Sequence, residues 1–217
     1  MEKGLAIITG ADGGMGQVIT AALAKEGYPV IMACLDPEKA ASLCNRIQQE
    51  TGNTQIEVRR IDLASLSSVN NFTGQLLKEG RPVSRLMNNA GILTTPVRKT
   101  EDGLETIVSV NYVAPYMLTR QLLPLMQPGC RIVNTVSCTY AIGRIEPDFF
   151  EKGRNGRFFR IPVYSNTKLA LLLFTQEFAE RLQDKDITIN ASDPGIVSTN
   201  MICLLYTSPS PRDPKTS

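Results

Sequence analysis

The sequence predicts an α/β protein with a doubly wound parallel sheet flanked by helices on both faces. Two observations favour this class. Short apolar runs of strand length alternate with longer stretches whose apolar residues recur at helical spacing. A glycine-rich turn joins the first predicted strand to the first predicted helix. The chain has 217 residues, of which 42% are hydrophobic, so one globular domain is expected.

The composition excludes several functional classes. The chain has no histidine, which excludes a Ser-His-Asp hydrolase and argues against a zinc enzyme. The formal net charge of +2 gives no indication of a nucleic-acid partner, and no apolar run approaches the length of a membrane span. Five cysteines, odd in number and without a C-x-x-C pair, are typical of reduced thiols. With no visible signal peptide, a cytoplasmic location is expected.

The first predicted strand is Leu5–Thr9, and its glycine turn has the form of a phosphate-binding loop. Strand, glycine turn and helix place backbone N–H groups and the positive end of a helix dipole beside a pyrophosphate, in a Rossmann-like arrangement. An ordinary glycine-rich turn is the alternative. The loop residues taken as candidates for binding a cofactor are Gly10, Asp12, Gly14, Met15 and Gly16.

The second strand, Val30–Cys34, leads into the position that usually meets the adenosine ribose. An acidic residue there accepts a hydrogen bond from the 2′-hydroxyl, and a basic residue accommodates a 2′-phosphate. Leu35 and Asp36 follow the strand, and Asp36 has a second interpretation as the cap of the next helix, because Pro37 comes after it. Asp12 and the absence of Arg or Lys at 34–36 favour NAD over NADP.

Further strands and helices alternate along the chain. A helix is expected over Pro37–Thr51 and a strand over Gln55–Ile61, with Asp62 and Leu63 after it as cofactor candidates. Ser65 is a predicted N-cap of a helix that Gly80 ends. A fourth strand runs from Arg85 into a polar turn. That turn contains Asn88, Asn89, Ala90 and Gly91, and the last three are candidates for binding the cofactor. The two asparagines are suited to join neighbouring strands or to contact a ligand.

A long helix is predicted over Glu101–Met126, with Pro115 as a possible kink. Asn111 lies inside it between apolar residues, where propensity disfavours asparagine. A fifth strand, Arg131–Ser137, brings Ser137 to the sheet edge where open α/β sheets bind ligands, so Ser137 is either a hydrogen-bond partner of a substrate oxygen or a serine of the turn. Residues 139–163 form an insertion with four phenylalanines among basic residues. It is either a surface loop that packs its aromatic rings onto the body or a lid over an anionic or flat apolar substrate.

The segment Tyr164–Leu182 is predicted to be one amphipathic helix that buries leucine and phenylalanine side chains. The buried positions expected are Leu169, Leu172, Leu173, Phe178 and Leu182. Tyr164 and Lys168 lie one turn apart on one face. A cation beside a phenol lowers the pKa of the phenol, which gives a general acid/base without histidine. A sixth strand, Ile187–Ala191, is followed by Pro194-Gly195, and Thr199 is suited to reach a carboxamide.

Together these motifs resemble the short-chain dehydrogenase/reductase family over roughly residues 3–201. The resemblance is carried by Thr9-Gly10-x-x-x-Gly14-x-Gly16, Asn88-Asn89-Ala90-Gly91, Asn111, Ser137, Tyr164 with Lys168, and Pro194-Gly195 with Thr199. It implies hydride transfer between NAD or NADP and a small carbonyl or alcohol substrate. In that scheme Tyr164 exchanges a proton, Ser137 binds the reacting oxygen, Lys168 holds the nicotinamide ribose and Asn111 anchors a water. Pro194, Gly195, Val197 and Thr199 would form the nicotinamide-side loop, and homo-oligomers would pack through the Asn111 and Tyr164 helices.

Several stretches look like the branch that contains retinol dehydrogenases and protochlorophyllide reductases, a branch varied in substrate. The chain departs from it at Leu35, where an arginine is usual, at Thr167, where serine is usual, and at Asp193, where histidine is common. The domain is expected to end near residue 201. Residues 202–217 are rich in Ser, Thr and Pro and look like a non-native tail on a truncated gene, which would leave out the last strand and helix of the family. A native disordered tail is the alternative. A non-catalytic dinucleotide-binding module and an extended sugar-nucleotide epimerase are the competing functions.

Overall fold

The computed structural model describes residues 3–94, 97–150 and 157–195. Within these ranges six parallel strands form one sheet in the order β3-β2-β1-β4-β5-β6. The strands are β1 (Leu5–Thr9), β2 (Val30–Cys34), β3 (Ile56–Arg60), β4 (Val83–Asn88), β5 (Met126–Thr135) and β6 (Thr188–Ser192). This strand order confirms the doubly wound, Rossmann-like class.

Helices cover both faces of the sheet. They are α1 (Gly14–Lys25), α2 (Pro37–Thr51), α3 (Leu66–Glu79), α4 (Thr106–Val108), a π-turn (Ser109–Val113), α5 (Ala114–Leu122) and α6 (Arg157–Arg181), with 3-10 turns at Leu123–Leu125, Cys138–Ile142 and Gln183–Lys185. Successive strand residues point to opposite faces, so Ile7 packs with α3, α5 and α6, whereas Ile8 packs with α1 and α2. Within the described ranges, no helix combines the length and apolarity needed to cross a bilayer.

The first half of the chain folds as its local patterns predict. The bounds of β1, β2 and α2 match the expected ones. The Ser65 side chain accepts a hydrogen bond from the Ser68 N–H at 3.3 Å and so caps α3. Gly80 ends that helix with φ +66, a backbone conformation that glycine adopts without a steric penalty.

The long helix predicted over Glu101–Met126 begins later and ends earlier. Gly103 has φ +78 and forms part of a turn, and the Glu105 carboxylate caps the helix that starts at Thr106. Pro115 follows the π-turn instead of making a simple kink, because the wider turn accommodates a residue without an N–H. Met126, expected in the helix, is the first residue of β5.

The Tyr164 helix also differs from its prediction, because α6 begins at Arg157 and contains Pro162. Its buried positions include Leu171 and Phe174, whereas Leu173 is 47% exposed and contradicts the expected stripe. Phe149 is buried against the body, as the surface-loop interpretation predicted, and Phe150 is exposed. The predictions for Val197, Thr199 and the tail over residues 202–217 lie outside the described residues.

Candidate active site

A cleft of about 540 Å³ lies at the carboxyl ends of the strands, where the strand order reverses between β1 and β4. Ligands of open α/β sheets bind at this place. Among the predicted cofactor residues, those that line the cleft are Gly10, Asp12, Gly14, Met15, Gly16, Leu35, Asp62, Leu63, Asn89, Ala90 and Gly91. The structure therefore brings segments after β1, β2, β3 and β4 to one concave surface. Asp36 is not part of the lining.

The glycine loop is shaped by close backbone contacts. Gly10 has φ +60, and a Cβ on it would lie 3.1 Å from the Ala90 Cα. A Cβ on Gly16 would lie 2.1 Å from the Gly10 carbonyl oxygen and 2.8 Å from the Ala11 Cα. Since these neighbours are backbone atoms, the start of α1 can approach the end of β1 this closely only at glycine.

Thr9 and Asn89 fasten the loop to the end of β4. The Asn89 amide group donates to the Thr9 carbonyl at 3.0 Å and to the Gly10 carbonyl at 3.2 Å. The Thr9 hydroxyl oxygen accepts from the Asn89 and Ala90 N–H groups, each at 3.1 Å. The other asparagine, Asn88, donates to Asn134 on β5 at 2.7 Å. Both asparagines thus join neighbouring strands, as one interpretation of their turn predicted.

The two acidic residues near the ribose position are engaged by the protein itself. The Asp36 carboxylate caps α2 and pairs with the Lys39 ammonium at 2.9 Å, and the hydrogen bond from Lys39 lowers the Asp36 pKa. This geometry supports the capping interpretation of Asp36. The Cys34 thiol is buried beside Asp12, and burial together with that carboxylate raises the pKa of Cys34 to about 12. Lys39, a base close to Asp36, was not among the predicted residues.

Ser137, Tyr164 and Lys168 meet beyond the carboxyl end of β5. The Ser137 hydroxyl lies near enough to the Tyr164 phenol to influence its pKa. The Lys168 ammonium is buried, lies 5.4 Å from the centre of the Tyr164 ring and donates to the Thr135 carbonyl at 2.7 Å. The structure therefore places the predicted acid, its hydroxyl partner and its cation in one cluster.

The expected lowering of the Tyr164 pKa is not what the structure gives. Burial raises the pKa of Tyr164, the nearby Ser137 hydroxyl opposes that rise, and the Asp193 carboxylate adds to it. Burial also lowers the pKa of Lys168 to about 8. The prediction from spacing alone was wrong because it counted a neighbouring cation and omitted the loss of solvent around the phenol.

Asn111 lies in the π-turn and is completely buried. Its side-chain oxygen accepts from the Ile92 N–H at 2.8 Å, and its side-chain nitrogen donates to the Ile92 carbonyl at 2.9 Å and to the Thr167 hydroxyl at 3.4 Å. The side chain thus joins the segment after β4 to α6. Neither Ile92 nor Thr167 was predicted to take part, and their spacing in sequence gives no signal of it.

Asp193, Pro194 and Gly195 follow β6 at the same edge of the sheet. The Asp193 carboxylate accepts from the Gly195 N–H at 3.0 Å. Gly195 has φ +69, which fits the turn predicted for Pro194-Gly195. The other two members of the predicted nicotinamide-side loop, Val197 and Thr199, lie beyond the described part of the chain.

The model of the family described as short chain dehydrogenase matches residues 4–147 and 151–206. The chain belongs to the short chain dehydrogenase family. This short chain dehydrogenase is 36% identical to retinol dehydrogenase 13 from Homo sapiens over 197 residues, a match that covers 90% of this chain and 59% of the relative. The chain therefore spans about three fifths of the length of that curated relative. It is also 36% identical to retinol dehydrogenase 12 from Mus musculus, over 92% of this chain and 65% of that relative.

Solved structures share the fold. An uncharacterised protein from Mycobacterium Paratuberculosis superposes with a TM-score of 0.77 at 35% identity, over 93% of this chain and 72% of that one. A short-chain dehydrogenase from Sphingobium yanoikuyae in complex with NADPH gives a TM-score of 0.73 at 22% identity, over 91% and 73% of the two chains. The second match is a likeness of fold alone.

Proposed function

We propose that this chain is an NAD(P)-dependent oxidoreductase that interconverts an alcohol and a carbonyl compound, with Tyr164 as the general acid/base. The observation that carries the proposal is the cluster of Ser137, Tyr164 and Lys168 at the same edge of the sheet as a cleft lined by glycine-loop residues. When bound, NAD(P) would supply or accept the hydride at its nicotinamide ring. The relatives of known name, which are retinol dehydrogenases, support an oxidoreductase.

The side chains of the cluster are suited to move a proton at the substrate oxygen. The raised pKa keeps the Tyr164 hydroxyl protonated at neutral pH, so it can donate a proton to a carbonyl oxygen as that oxygen gains charge. The Ser137 hydroxyl would bind the same oxygen and stabilise its developing charge. The Lys168 ammonium, held by the Thr135 carbonyl, would then stabilise the phenolate that remains.

The cleft has the features that a dinucleotide requires. The loop Gly10–Gly16 and the N-terminus of α1 would hold the pyrophosphate through backbone N–H groups and the helix dipole. The Asn89 side-chain oxygen is buried at the cleft wall and has no partner among the described residues, so it is a candidate acceptor for a cofactor N–H or O–H group. We further propose that Val197 and Thr199 close the nicotinamide side, that Lys168 reaches the ribose and that Asn111 anchors a water.

The choice of cofactor depends on the region of Leu35 and Asp36. Asp12 and the missing base at 34–36 favour NAD, whereas Lys39 provides a positive charge beside Asp36. NAD preference stays a prediction, as do homo-oligomerisation and the cytoplasmic location.

The test combines binding and turnover. The chain is titrated in parallel with NADH and NADPH by nicotinamide fluorescence, and then assayed with a panel of aldehydes, ketones and alcohols that includes retinal and retinol. Tyr164→Phe is expected to lower turnover by about 10²- to 10⁴-fold while cofactor binding is retained. Tyr28→Phe, which changes a buried tyrosine on the loop before β2, serves as the matched control. Near-normal turnover of the Tyr164 variant would overturn the assigned role, and cofactor binding without turnover across the panel would favour the non-catalytic module.

A further inference from the structure

Arg160 and Glu105 form an ion pair in the interior of the protein. Both side chains are 0% exposed. The Arg160 Nη2 donates to the Glu105 Oε1, and its Nε donates to the Thr94 carbonyl at 2.8 Å. A buried ion pair often stabilises a fold no better than apolar side chains of similar size. The pair therefore calls for an explanation other than stability.

Glu105 is anchored independently of Arg160. Its Oε2 accepts from the N–H groups of Ile107 at 2.8 Å and Val108 at 3.1 Å, so the carboxylate caps α4 with one oxygen and holds Arg160 with the other. The Glu105 N–H also donates to the Phe150 carbonyl at 3.1 Å. Arg160 is thus tied to a fixed point in the segment that leads into Asn111.

Arg160 lies one helical turn before Tyr164 on the same face of α6. A second link lies one turn after Tyr164, where the Thr167 hydroxyl donates to the Tyr164 carbonyl at 2.6 Å and accepts from Asn111. Asn111 holds Ile92, and Arg160 holds Thr94, so both links reach the same short segment after β4. Side chains on both sides of Tyr164 along α6 are therefore linked by hydrogen bonds to the segment Ile92–Thr94.

The backbone of α6 is weakened between these ties. Pro162 lies inside the helix, and proline has no N–H to donate to the preceding turn. The turn that contains Arg160 is therefore held less firmly by the helix itself. Arg160 Nη1 is buried and has no hydrogen-bond partner among the described residues. Within the described part of the chain this donor therefore adds no stability to the pair, which favours a role in geometry.

We propose that Arg160, held by Glu105, is a positioning residue that fixes the Tyr164 turn of α6 against the segment Ile92–Thr94. The inference rests on the proposed function, since it assigns Tyr164 a proton to deliver. Arg160 itself does not touch the reacting atoms. Small displacements of a reacting group lower rates steeply, by about 10²-fold for a shift on the order of 1 Å.

The kinetic test uses Arg160→Met and Glu105→Gln. Both variants are expected to lower kcat by about 10²-fold while KM and the Kd for NADPH or NADH change little, because Thr9 and Asn89 hold the glycine loop without them. Arg181→Met is the matched control, since Arg181 pairs with Glu177 on the exposed surface of the same helix at 2.6 Å. Arg160→Lys keeps the charge and is expected to recover part of the lost rate.

A second readout requires no substrate. The ultraviolet pH titration of the phenols, compared with that of a Tyr164→Phe version of the same protein, isolates the titration of Tyr164. Arg160→Met is expected to lower the pKa of Tyr164 towards its ordinary value, because a loosened turn admits water to the phenol. This readout applies whether or not the chain turns over a substrate, so failure of the proposed function and failure of the positioning role are distinguishable.

The proposal is overturned if Arg160→Met lowers the melting temperature but leaves both kcat per folded molecule and the Tyr164 titration as in the unaltered chain. That result would make the pair a structural contact only. Should Arg160→Met fail to fold, Arg160→Lys and Glu105→Gln decide by the same two readouts. An unchanged Tyr164 titration in both of them would equally overturn the proposal.

Discussion

The glycine-loop region and the Tyr164 region of this short chain dehydrogenase are built on opposite principles. Around Gly10 and Gly16 the chain approaches itself through backbone atoms, at distances that leave no room for a side chain. Around Tyr164, buried polar and charged side chains join segments that are far apart in sequence, as Arg160 joins Glu105. The first region is therefore sensitive to added volume, and the second is sensitive to lost charge and lost hydrogen bonds.

Gly16→Ala tests the sensitivity to volume and carries the largest expected effect. The new Cβ would lie 2.1 Å from the Gly10 carbonyl oxygen, and since backbone cannot change rotamer, the unfolding free energy should fall by about 3 to 4 kcal/mol. Cofactor binding should be lost with the displaced loop. Urea unfolding and NADPH titration measure the two effects.

The control for this change is Gly74→Ala in α3, where nothing lies within 4 Å of the added Cβ. Alanine is the better helix former, so this variant should be more stable by about 0.5 to 1 kcal/mol. If Gly16→Ala were as stable as Gly74→Ala, the glycine loop would have room for a Cβ, contrary to the close backbone contacts at Gly16.

The two regions also differ in how far the sequence predicts them. The glycine turn, β1, β2 and α2 are predicted by local patterns. A run of apolar residues, or a proline after an N-cap, favours a strand or a helix start within a few residues of itself. The Tyr164 region, in contrast, depends on the buried pairing of Arg160 with Glu105. This contact joins positions 55 residues apart, and no local pattern encodes it.

The chemistry of the site divides in the same way. Ser137, Tyr164 and Lys168 lie close together, as motif order at one edge of the sheet predicts, and their catalytic roles stay a prediction. The direction of the Tyr164 pKa was predicted wrongly, since it depends on burial. The bonding of Asn111 to Ile92 could not be predicted either, because it depends on the π-turn.

Lys168 tests the cost of a buried charge in the second region. Burial lowers the pKa of Lys168 to about 8 from its ordinary 10.5. Between these values the unfolded chain holds a proton that the folded chain has released, so the contribution of Lys168 to stability becomes more favourable as pH rises through this window. The full change corresponds to about 3 kcal/mol.

Denaturant unfolding of the unaltered chain and of Lys168→Met, followed from pH 7 to 10, measures this change. The stability of the unaltered chain relative to the variant should rise with pH above about 8. Other groups that titrate in this range, such as the buried cysteines, contribute to both proteins and cancel in the comparison. A difference that stays constant with pH would mean that Lys168 titrates normally despite its burial.

Thr167 tests the hydrogen-bonded link one turn after Tyr164. Thr167→Val preserves the shape but removes the hydroxyl that donates to the Tyr164 carbonyl and accepts from Asn111. We expect unfolding to be easier by about 1 to 3 kcal/mol, because buried polar groups lose a partner. Thr167→Ser keeps the hydroxyl and should lose about 1 kcal/mol or less, through the missing methyl group. Equal losses in thermal or urea unfolding would show that packing, and not the hydrogen bonds, holds this turn.

Leu35→Arg alters the cofactor cleft and carries the smallest expected effect, a change in the preference between NADPH and NADH. Leu35 is 60% exposed and lines the cleft, so an arginine is accommodated there without the steric conflict that an added side chain meets at Gly16. Its guanidinium should attract a 2′-phosphate and raise the ratio of NADPH to NADH affinity by about tenfold, or about 1.4 kcal/mol. Parallel titrations measure the ratio, and Leu35→Gln controls for length without charge. An unchanged ratio in the arginine variant would place the ribose away from Leu35, and Lys39 beside Asp36 would then be the base to alter.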